Sequence, residues 1–318
     1  MTEAALSFDL LTVLGPTASG KTRLAVALAE KYGGEIISAD SRQVFRGMDI
    51  GSGKDLHEYG GVPYHLIDIL DAGGEFSVFE FQRRFLAAMA EISTRQAVPI
   101  LCGGSGMYLD AALRGYQMIE VPNDDSLRSE LALKSDAELA EELWSLRPTL
   151  HNSTDLLDRE RTVRAIEIAR GELTKSSVSV TQPLLNSVVI GIQWEREALR
   201  QRITKRLRER LDNGLIEEVE SLHAGGIAWE RLDYYGLEYR YVGSYLRGAM
   251  NRNDLFQALN SAIHAFAKKQ GNWFRRMERH GVVINWIDGS SDQLAQVQEI
   301  IKKKIDHNLI CLTSHNRC

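Results

Sequence analysis

Residues 9–22, DLLTVLGPTASGKT, are the stretch that decides the fold. Residues 9–14 form an apolar run typical of a buried parallel strand, and Gly15 and Pro16 end it in a turn. Residues 22–31, TRLAVALAEK, are strong helix formers with several apolar side chains on one face. The stretch therefore predicts a strand, a glycine-rich turn and a helix in succession.

Strands and helices continue to alternate over the first 115 residues. Short strands are predicted at residues 35–38 and 98–102, and residues 79–95 between them have a helical pattern. Such alternation is typical of a doubly wound α/β protein. We predict a P-loop NTPase-like parallel sheet flanked by helices, with ligands at the carboxyl ends of its strands.

The character of the chain changes after residue 115. Residues 120–145 are acidic with a helical pattern, residues 158–170 predict an amphipathic helix, and residues 188–194 return as a late strand. We therefore predict a mainly helical insertion domain in an α/β protein. The predicted boundaries are 1–115 and 185–318 for the core and 116–184 for the insertion.

The composition of the 318 residues, 44% hydrophobic and 25% charged, is that of an ordinary globular protein. No run reaches the roughly 18 apolar residues that a bilayer span requires. The first ten residues lack Lys and Arg, and the three cysteines form no CxxC pair. These features predict a cytoplasmic protein without a membrane anchor, a disulfide framework or a structural zinc site.

The formal net charge of −5 argues mildly against a nucleic-acid partner. Basic side chains nevertheless gather at residues 159–170, 196–210 and 268–279, so a local phosphate-binding face is compatible with an acidic protein. We interpret the run within 200–210 mainly as a solvated helix face whose arginines cover apolar surface and pair with nearby glutamates.

Residues 15–22, GPTASGKT, fit the pattern G-x-x-x-x-G-K-[ST] between the predicted strand and helix. The backbone N–H groups of such a loop cradle phosphate oxygens, Lys21 adds a point charge, and the Thr22 hydroxyl can bind Mg²⁺. A glycine-rich turn without a ligand is the alternative. Taken alone, the loop is typical of ATP-binding kinases and NTPases. The candidate phosphate-binding residues are Gly15, Pro16, Thr17, Ala18, Ser19, Gly20, Lys21 and Thr22.

Asp40 follows the second predicted strand directly, where it can face the phosphate loop. From its spacing alone it has several possible roles. It can act at the phosphate site, and a residue of the outer shell of a magnesium ion or a helix N-cap are the alternatives.

Six further segments accompany the loop: SADSRQVFRGMDIGS (38–52), PYHLID (63–68), GGSGMYLDAALRG (103–115), ERTVRAIEI (160–168), RQRITKRLRERLDNGLIEEVESL (200–222) and FAKKQGNWFR (266–275). In order and spacing they resemble the tRNA dimethylallyltransferases, also called the IPP transferase family. The resemblance covers nearly the whole chain. Its most specific part is SRQVFRGMDIG, which kinase chemistry does not require.

The resemblance implies transfer of a dimethylallyl group from dimethylallyl diphosphate to N6 of adenosine 37 in tRNA. The loop would then grip a diphosphate leaving group, with Thr17 and Mg²⁺ at Thr22 assisting. Asp40 would accept the proton of the exocyclic amine. The target adenine would be flipped out of the anticodon loop to reach this pocket.

The resemblance also implies a set of tRNA contacts, and it places the insertion against the anticodon arm. We expect the protein to act as a monomer. The implied tRNA-binding residues are Asp40, Ser41, Arg42, Gln43, Ser105, Arg128, Glu160, Arg161, Thr162, Val163 and Arg164.

Two positions depart from the family pattern. Relatives tend to have basic side chains, thought to help hold the diphosphate, where this chain has Asp110 and Glu238. Arg240 or Arg247 are candidates to replace them. Lys269 in AKKQ stands where an arginine is usual, which removes bidentate geometry.

Three other functions stay open at this point. An adenylate-type prenyltransferase would share the loop and Asp40 but would need no RNA-binding surface. A small-molecule phosphotransferase would use the loop with ATP. A tRNA-binding protein without catalytic activity would fit the changes at Asp110 and Glu238.

Overall fold

The computed structural model describes residues 8–118, 120–148, 159–174 and 184–315. The expectation about the first ten residues therefore lies largely outside the described residues. Among the helices in the described ranges, none combines the length and the apolar character that a bilayer crossing requires.

A six-stranded sheet forms the centre of the molecule, and all its strand pairs are parallel. The strands in chain order are β1 (Leu10–Leu14), β2 (Gly34–Ala39), β3 (Phe45–Arg46), β4 (Tyr64–His65), β5 (Leu70–Asp71), β6 (Val98–Gly103), β7 (Ser187–Gln193) and β8 (Ile284–Asp288). Their order in the sheet is β4-β2-β6-β1-β7-β8, and β3 and β5 pair separately. The predicted parallel α/β fold is confirmed.

Twelve helices accompany the strands in the described ranges. They are α1 (Lys21–Tyr32), α2 (Val78–Thr94), α3 (Gly106–Arg114), α4 (Asp125–Ala132), α5 (Asp136–Leu146), α6 (Arg159–Thr174), α7 (Arg196–Asp212), α8 (Leu215–Ala224), α9 (Trp229–Tyr234), α10 (Leu237–Leu246), α11 (Arg252–Arg279) and α12 (Gln293–His315). Helix α11 is 28 residues long.

Alternate side chains of β1 pack into two hydrophobic layers, one on each face of the sheet. Leu10 and Leu14 join one cluster, whereas Leu11 and Val13 join the other. All four side chains are fully buried. A strand buried on both faces must be apolar throughout, which explains the continuous run that the sequence shows here.

Strand register brings three chain segments to one level at the carboxyl edge of the sheet. Leu14 pairs with Gly103, and Gly103 pairs with Ala39 on its other side. A Cβ atom at Gly103 would overlap the Ala39 carbonyl, so this close approach requires glycine. The phosphate loop, the segment that starts at Asp40 and the segment after β6 therefore leave the sheet side by side.

The long segment after β2 is tied down by a buried lysine. Lys54 is fully buried, and its ammonium donates to the Phe45 carbonyl at 2.7 Å and pairs with Asp49 and Asp68. All three donors of the ammonium find acceptors, as a buried charge requires. This arrangement orders the SRQVFRGMDIGS segment beside the sheet edge.

The chain divides into two compact units, which we call the core unit and the insertion unit. The core unit comprises Met1–Tyr116 and Pro183–Cys318, and the insertion unit comprises Gln117–Gln182. The insertion unit contains α4, α5 and α6. Its own small hydrophobic core consists of Leu131, Leu139, Leu143 and Ile166.

Candidate active site

A cavity of about 220 Å³ lies at the carboxyl ends of β1, β2 and β6. We call it the inner cavity. Eight of the residues predicted from the sequence line it: Thr17, Lys21, Thr22, Asp40, Ser41, Arg42, Gln43 and Ser105. The fold therefore brings together the phosphate loop, the candidate base and the first group of candidate RNA contacts.

A second and larger cavity, of about 1170 Å³, adjoins the inner one. We call it the outer cavity. Lys21, Thr22, Arg206 and Arg210 line both cavities, so the two meet beside the phosphate loop. The outer cavity therefore extends the space available beside the phosphate loop.

Protein donors hold the carbonyl groups of the phosphate loop. Lys21 donates to the Pro16 carbonyl at 2.9 Å, Arg202 to that of Ala18 at 2.8 Å, and Trp194 to that of Ser19 at 3.0 Å. Ala18 has a φ of 62°, in the left-handed region that is uncommon for residues other than glycine. These three hydrogen bonds therefore support the shape of the phosphate loop.

The amino end of α1 is open to an anion. Gly20 is its N-cap residue and offers no side-chain cap, so the first N–H groups of the helix are left to a ligand or solvent. The helix dipole adds a partial positive charge at the same place. This is the arrangement in which helices bind phosphate groups.

Lys21 has a pKa lowered to about 8. Burial is the main cause, and the positive charge of Arg206 lowers the pKa further, while the nearby Cys102 and Asp40 raise it. Because burial and Arg206 disfavour the positive charge of Lys21, an anion bound beside it would stabilise that charge strongly.

Asp40 uses one carboxylate oxygen to order the backbone that follows it. Its Oδ1 accepts the Arg42 N–H at 2.8 Å and the Gln43 N–H at 3.4 Å. No described residue donates to Oδ2, and Asp40 lines the inner cavity. One oxygen thus fixes the carboxylate, and the other can accept a proton from a substrate.

The neighbours of Asp40 are also held by hydrogen bonds. The Ser41 N–H donates to the Ser105 hydroxyl at 3.2 Å. The Gln43 amide accepts from Ser38 at 2.7 Å and donates to the Gly53 carbonyl at 3.0 Å. Arg42 donates to the Tyr234 carbonyl at 3.1 Å and lies over the Tyr234 ring. Arg42 thereby joins the loop after β2 to α9.

Several residues that line or shape the site were not predicted from the sequence. Gln270 of α11 binds the phosphate loop, and Arg202, Arg206 and Arg210 of α7 lie along it or in the cavities. The interpretation of the 200–210 run as a solvated face holds for Arg202, which is exposed and lies over the Trp194 ring, but not for Arg206 and Arg210, which are partly buried and line both cavities. Their spacing of four residues places them on one helix face, and that regularity was the available signal.

The structure also reports on the two departures from the family pattern. Arg240 and Arg247 both bind Asp233 and lie outside the lining of the inner cavity. Asp110 is fully buried and accepts a hydrogen bond from Tyr116 at 2.6 Å. Glu238 does line the inner cavity, where it lies 3.3 Å from Arg210.

In the insertion unit, Arg128 and Arg164 converge on Glu167. Arg128 binds both carboxylate oxygens of Glu167, at 2.8 and 3.0 Å, and Arg164 binds one at 3.0 Å. Burial alone would raise the pKa of Glu167, but these bonds and the Asp124 N–H lower it to about 2. Both arginines therefore stabilise the packing of α6, and their contact with tRNA stays a prediction.

The remaining candidates in the insertion unit lie at the start of α6. Glu160 and Arg161 are exposed, Val163 is half-buried and Thr162 is buried. The exposed pair is accessible to a partner. The Thr162 side chain lies inside the unit, so it is the weakest of the predicted contacts.

The residues present fit a magnesium ion held together with a phosphate ligand. The Thr22 hydroxyl lines the inner cavity beside the phosphate loop, and hard oxygen ligands of this kind suit Mg²⁺. No group of three metal-binding side chains occurs in the described ranges. An ion here would therefore take most of its ligands from phosphate oxygens and water, as Mg²⁺ commonly does.

Fold and site together define a P-loop α/β protein with a polyphosphate cradle and an adjacent carboxylate. The IPP transferase family model matches residues 43–277. A tRNA dimethylallyltransferase 2 from Trichlorobacter lovleyi is 63% identical over 295 residues, which are 93% of this chain and 97% of the relative. One from Pelobacter propionicus is 64% identical over 294 residues, covering 92% and 94% of the two chains. The chain belongs to the IPP transferase family, a family of enzymes.

A solved structure shows the same architecture. The crystal structure of the full-length tRNA isopentenylpyrophosphate transferase from Bacillus halodurans superposes with a TM-score of 0.69 at 32% identity. The match covers 96% of this chain and 99% of that one. The similarity therefore extends over nearly the whole chain.

Proposed function

We propose that this protein transfers a dimethylallyl group from dimethylallyl diphosphate to N6 of adenosine 37 in tRNA, giving N6-(dimethylallyl)adenosine and diphosphate. The observation that carries the proposal is the meeting of the phosphate loop and Asp40 in one cavity. The names of the relatives support tRNA as the acceptor and a dimethylallyl compound as the donor.

The donor side of the reaction belongs to the phosphate loop. The bond between C1 of the dimethylallyl group and the diphosphate oxygen breaks, and its electron pair leaves with the diphosphate. Lys21, the amino end of α1 and the Thr17 hydroxyl stabilise the charge that develops there. Mg²⁺ at Thr22, when bound, would neutralise part of the same charge.

The acceptor side belongs to Asp40 and its neighbours. A new bond forms between C1 and N6 of adenine, and the N6 proton passes to Asp40. Ser41, Arg42, Gln43 and Ser105 border the space that a flipped-out base would enter. The two adjoining cavities offer space for a donor and an acceptor beside the phosphate loop. The cytoplasmic location, the monomeric state and a role of the insertion unit on the anticodon arm remain predictions.

Incubation with labelled dimethylallyl diphosphate, Mg²⁺ and unmodified tRNA tests the proposal. We expect label in the adenosine recovered after nuclease digestion. Label on free AMP instead would indicate an adenylate prenyltransferase. Phosphoryl transfer from ATP would indicate a kinase, and binding of tRNA without transfer would indicate a protein without catalytic activity.

A further inference from the structure

Arg210 is a buried arginine whose guanidinium faces both cavities. It lies on α7, one turn beyond Arg206, and its side chain is only 12% exposed. Its carboxylate partner, Glu238 of α10, is 20% exposed and lines the same inner cavity. A charged pair thus forms part of the wall of the proposed active site.

The protein uses only part of the hydrogen-bonding capacity of Arg210. Its Nη1 donates to Glu238 at 3.3 Å and to the Gly51 carbonyl at 3.4 Å, both long contacts. No described residue accepts from Nε or Nη2. A guanidinium carries five N–H donors, and a buried one normally uses most of them. The unused donors lie at a cavity wall.

The backbone beside Arg210 is shaped to receive its guanidinium. Gly53 has a φ of +66°, and a Cβ atom there would overlap Nη2 of Arg210 and come within 2.8 Å of Nη2 of Arg206. Glycine is therefore required at this position by both conformation and space. The space left by the missing side chain of Gly53 therefore holds the ends of Arg206 and Arg210 together.

Fold stability is a weak explanation for this pair. A buried ion pair recovers its desolvation cost only with good geometry, and apolar replacements are often as stable. Burial lowers the pKa of Arg210 and raises that of Glu238, so both charged forms lose hydration here. An anionic ligand with several charges would accept hydrogen bonds from the Arg210 donors that Glu238 and Gly51 leave unused.

We propose that Arg210 is a diphosphate-binding residue of the donor site and that Glu238 is its positioning residue. Arg206, paired with Asp55, lies close enough to Lys21 and Arg210 for its positive charge to act on both. The proposal rests on the proposed function, because it assigns these donors to the leaving group of that reaction. Lys21 of the phosphate loop lines both cavities together with Arg206 and Arg210, which favours diphosphate as the ligand of these arginines.

Variants at the two positions separate binding from packing. The double variant R210M/E238Q removes both charges and leaves neither unpaired, so we expect it to fold. Isothermal titration with inorganic diphosphate and Mg²⁺ should show at least tenfold weaker binding than wild type. R210M/E238R moves the cation to α10 without restoring an ion pair, and it should recover most of that affinity. R208M, which removes an arginine lying over Phe256, is the matched control and should bind as wild type does.

Kinetics complete the test. In R210M/E238Q, KM for dimethylallyl diphosphate should rise at least tenfold while KM for tRNA stays within about twofold. Diphosphate affinity within twofold of wild type in that variant, or equal loss in R208M, would overturn the proposal. Failure of R210M/E238R to regain affinity would also overturn it. Because the titration needs no turnover, absence of transfer by the wild type would count against the proposed function alone.

Discussion

Gln270 and Thr17 are 253 residues apart in the sequence and joined by a hydrogen bond of 2.8 Å from the Thr17 N–H to Oε1 of Gln270. The other end of the same amide, Nε2, donates to the Gly104 carbonyl at 2.9 Å. One buried side chain of α11 therefore joins the phosphate loop to the turn after β6. Thr17 and Gly104, the two residues that this side chain joins, both line the inner cavity.

Replacing Gln270 by alanine should loosen the phosphate loop. We expect kcat/KM for dimethylallyl diphosphate to fall about tenfold, because a buried N–H and a buried carbonyl each lose their partner. Q270E keeps an acceptor for Thr17 but replaces the donor to Gly104 by a negative charge at the inner cavity, so we expect it to lose more donor affinity than Q270A. Steady-state kinetics with both variants measure the effect. Equal activity of Q270A and wild type would show that the bridge has no influence on donor binding.

Asp40 can be tested with a substitution that preserves its structural role. Asparagine keeps an Oδ1 acceptor for the Arg42 and Gln43 N–H groups but cannot take a proton. We expect D40N to lower the single-turnover rate about 10²- to 10⁴-fold. Affinity for tRNA, measured by filter binding, should stay within about twofold. A rate close to wild type in D40N would remove Asp40 from the role of general base.

Lys21 should give the donor reaction an alkaline limb. Since its pKa is about 8 in the free protein, Lys21 loses its positive charge as the pH rises through that value. We expect kcat/KM for dimethylallyl diphosphate, which reports the free enzyme, to fall above about pH 8. In K21R the charge persists, so the limb should disappear even though the rate is lower. A limb that survives in K21R belongs to another group.

Glu35 should contribute stability that depends on pH. Bidentate hydrogen bonds from Arg95, at 2.7 and 2.8 Å, outweigh burial and, with a bond to His65, lower its pKa to about 2. A carboxyl group with a depressed folded-state pKa stabilises the fold above its ordinary pKa of 4.5, and this stabilisation is lost as the pH falls through about 2. E35Q should cost about 1–3 kcal/mol at pH 7.

Urea unfolding of wild type and E35Q at a series of pH values tests that expectation. The difference in free energy of unfolding should be largest at pH 7 and should shrink steadily between pH 4.5 and pH 2. A difference that does not change with pH would mean that the loss comes from packing and not from the ionised carboxylate.

The amino-acid sequence by itself determined the features that depend on neighbours along the chain. The strand, loop and helix of residues 9–31 were predictable because apolar runs, glycines and helix formers act locally. Asp40 was predictable as a site residue because parallel strands end at one edge of a sheet. The motifs in order identified the family, since segments such as SRQVFRGMDIG combine many specific positions.

Only the tertiary structure decided which distant side chains complete the site. Helix periodicity places Arg202, Arg206 and Arg210 on one face of α7, but it does not say what that face meets. Gln270 reaches Thr17, and Arg210 reaches Glu238, through packing between elements far apart in the sequence. Such contacts depend on how helices cross and on space left by residues such as Gly53. Those are properties of the folded chain, and no local pattern encodes them.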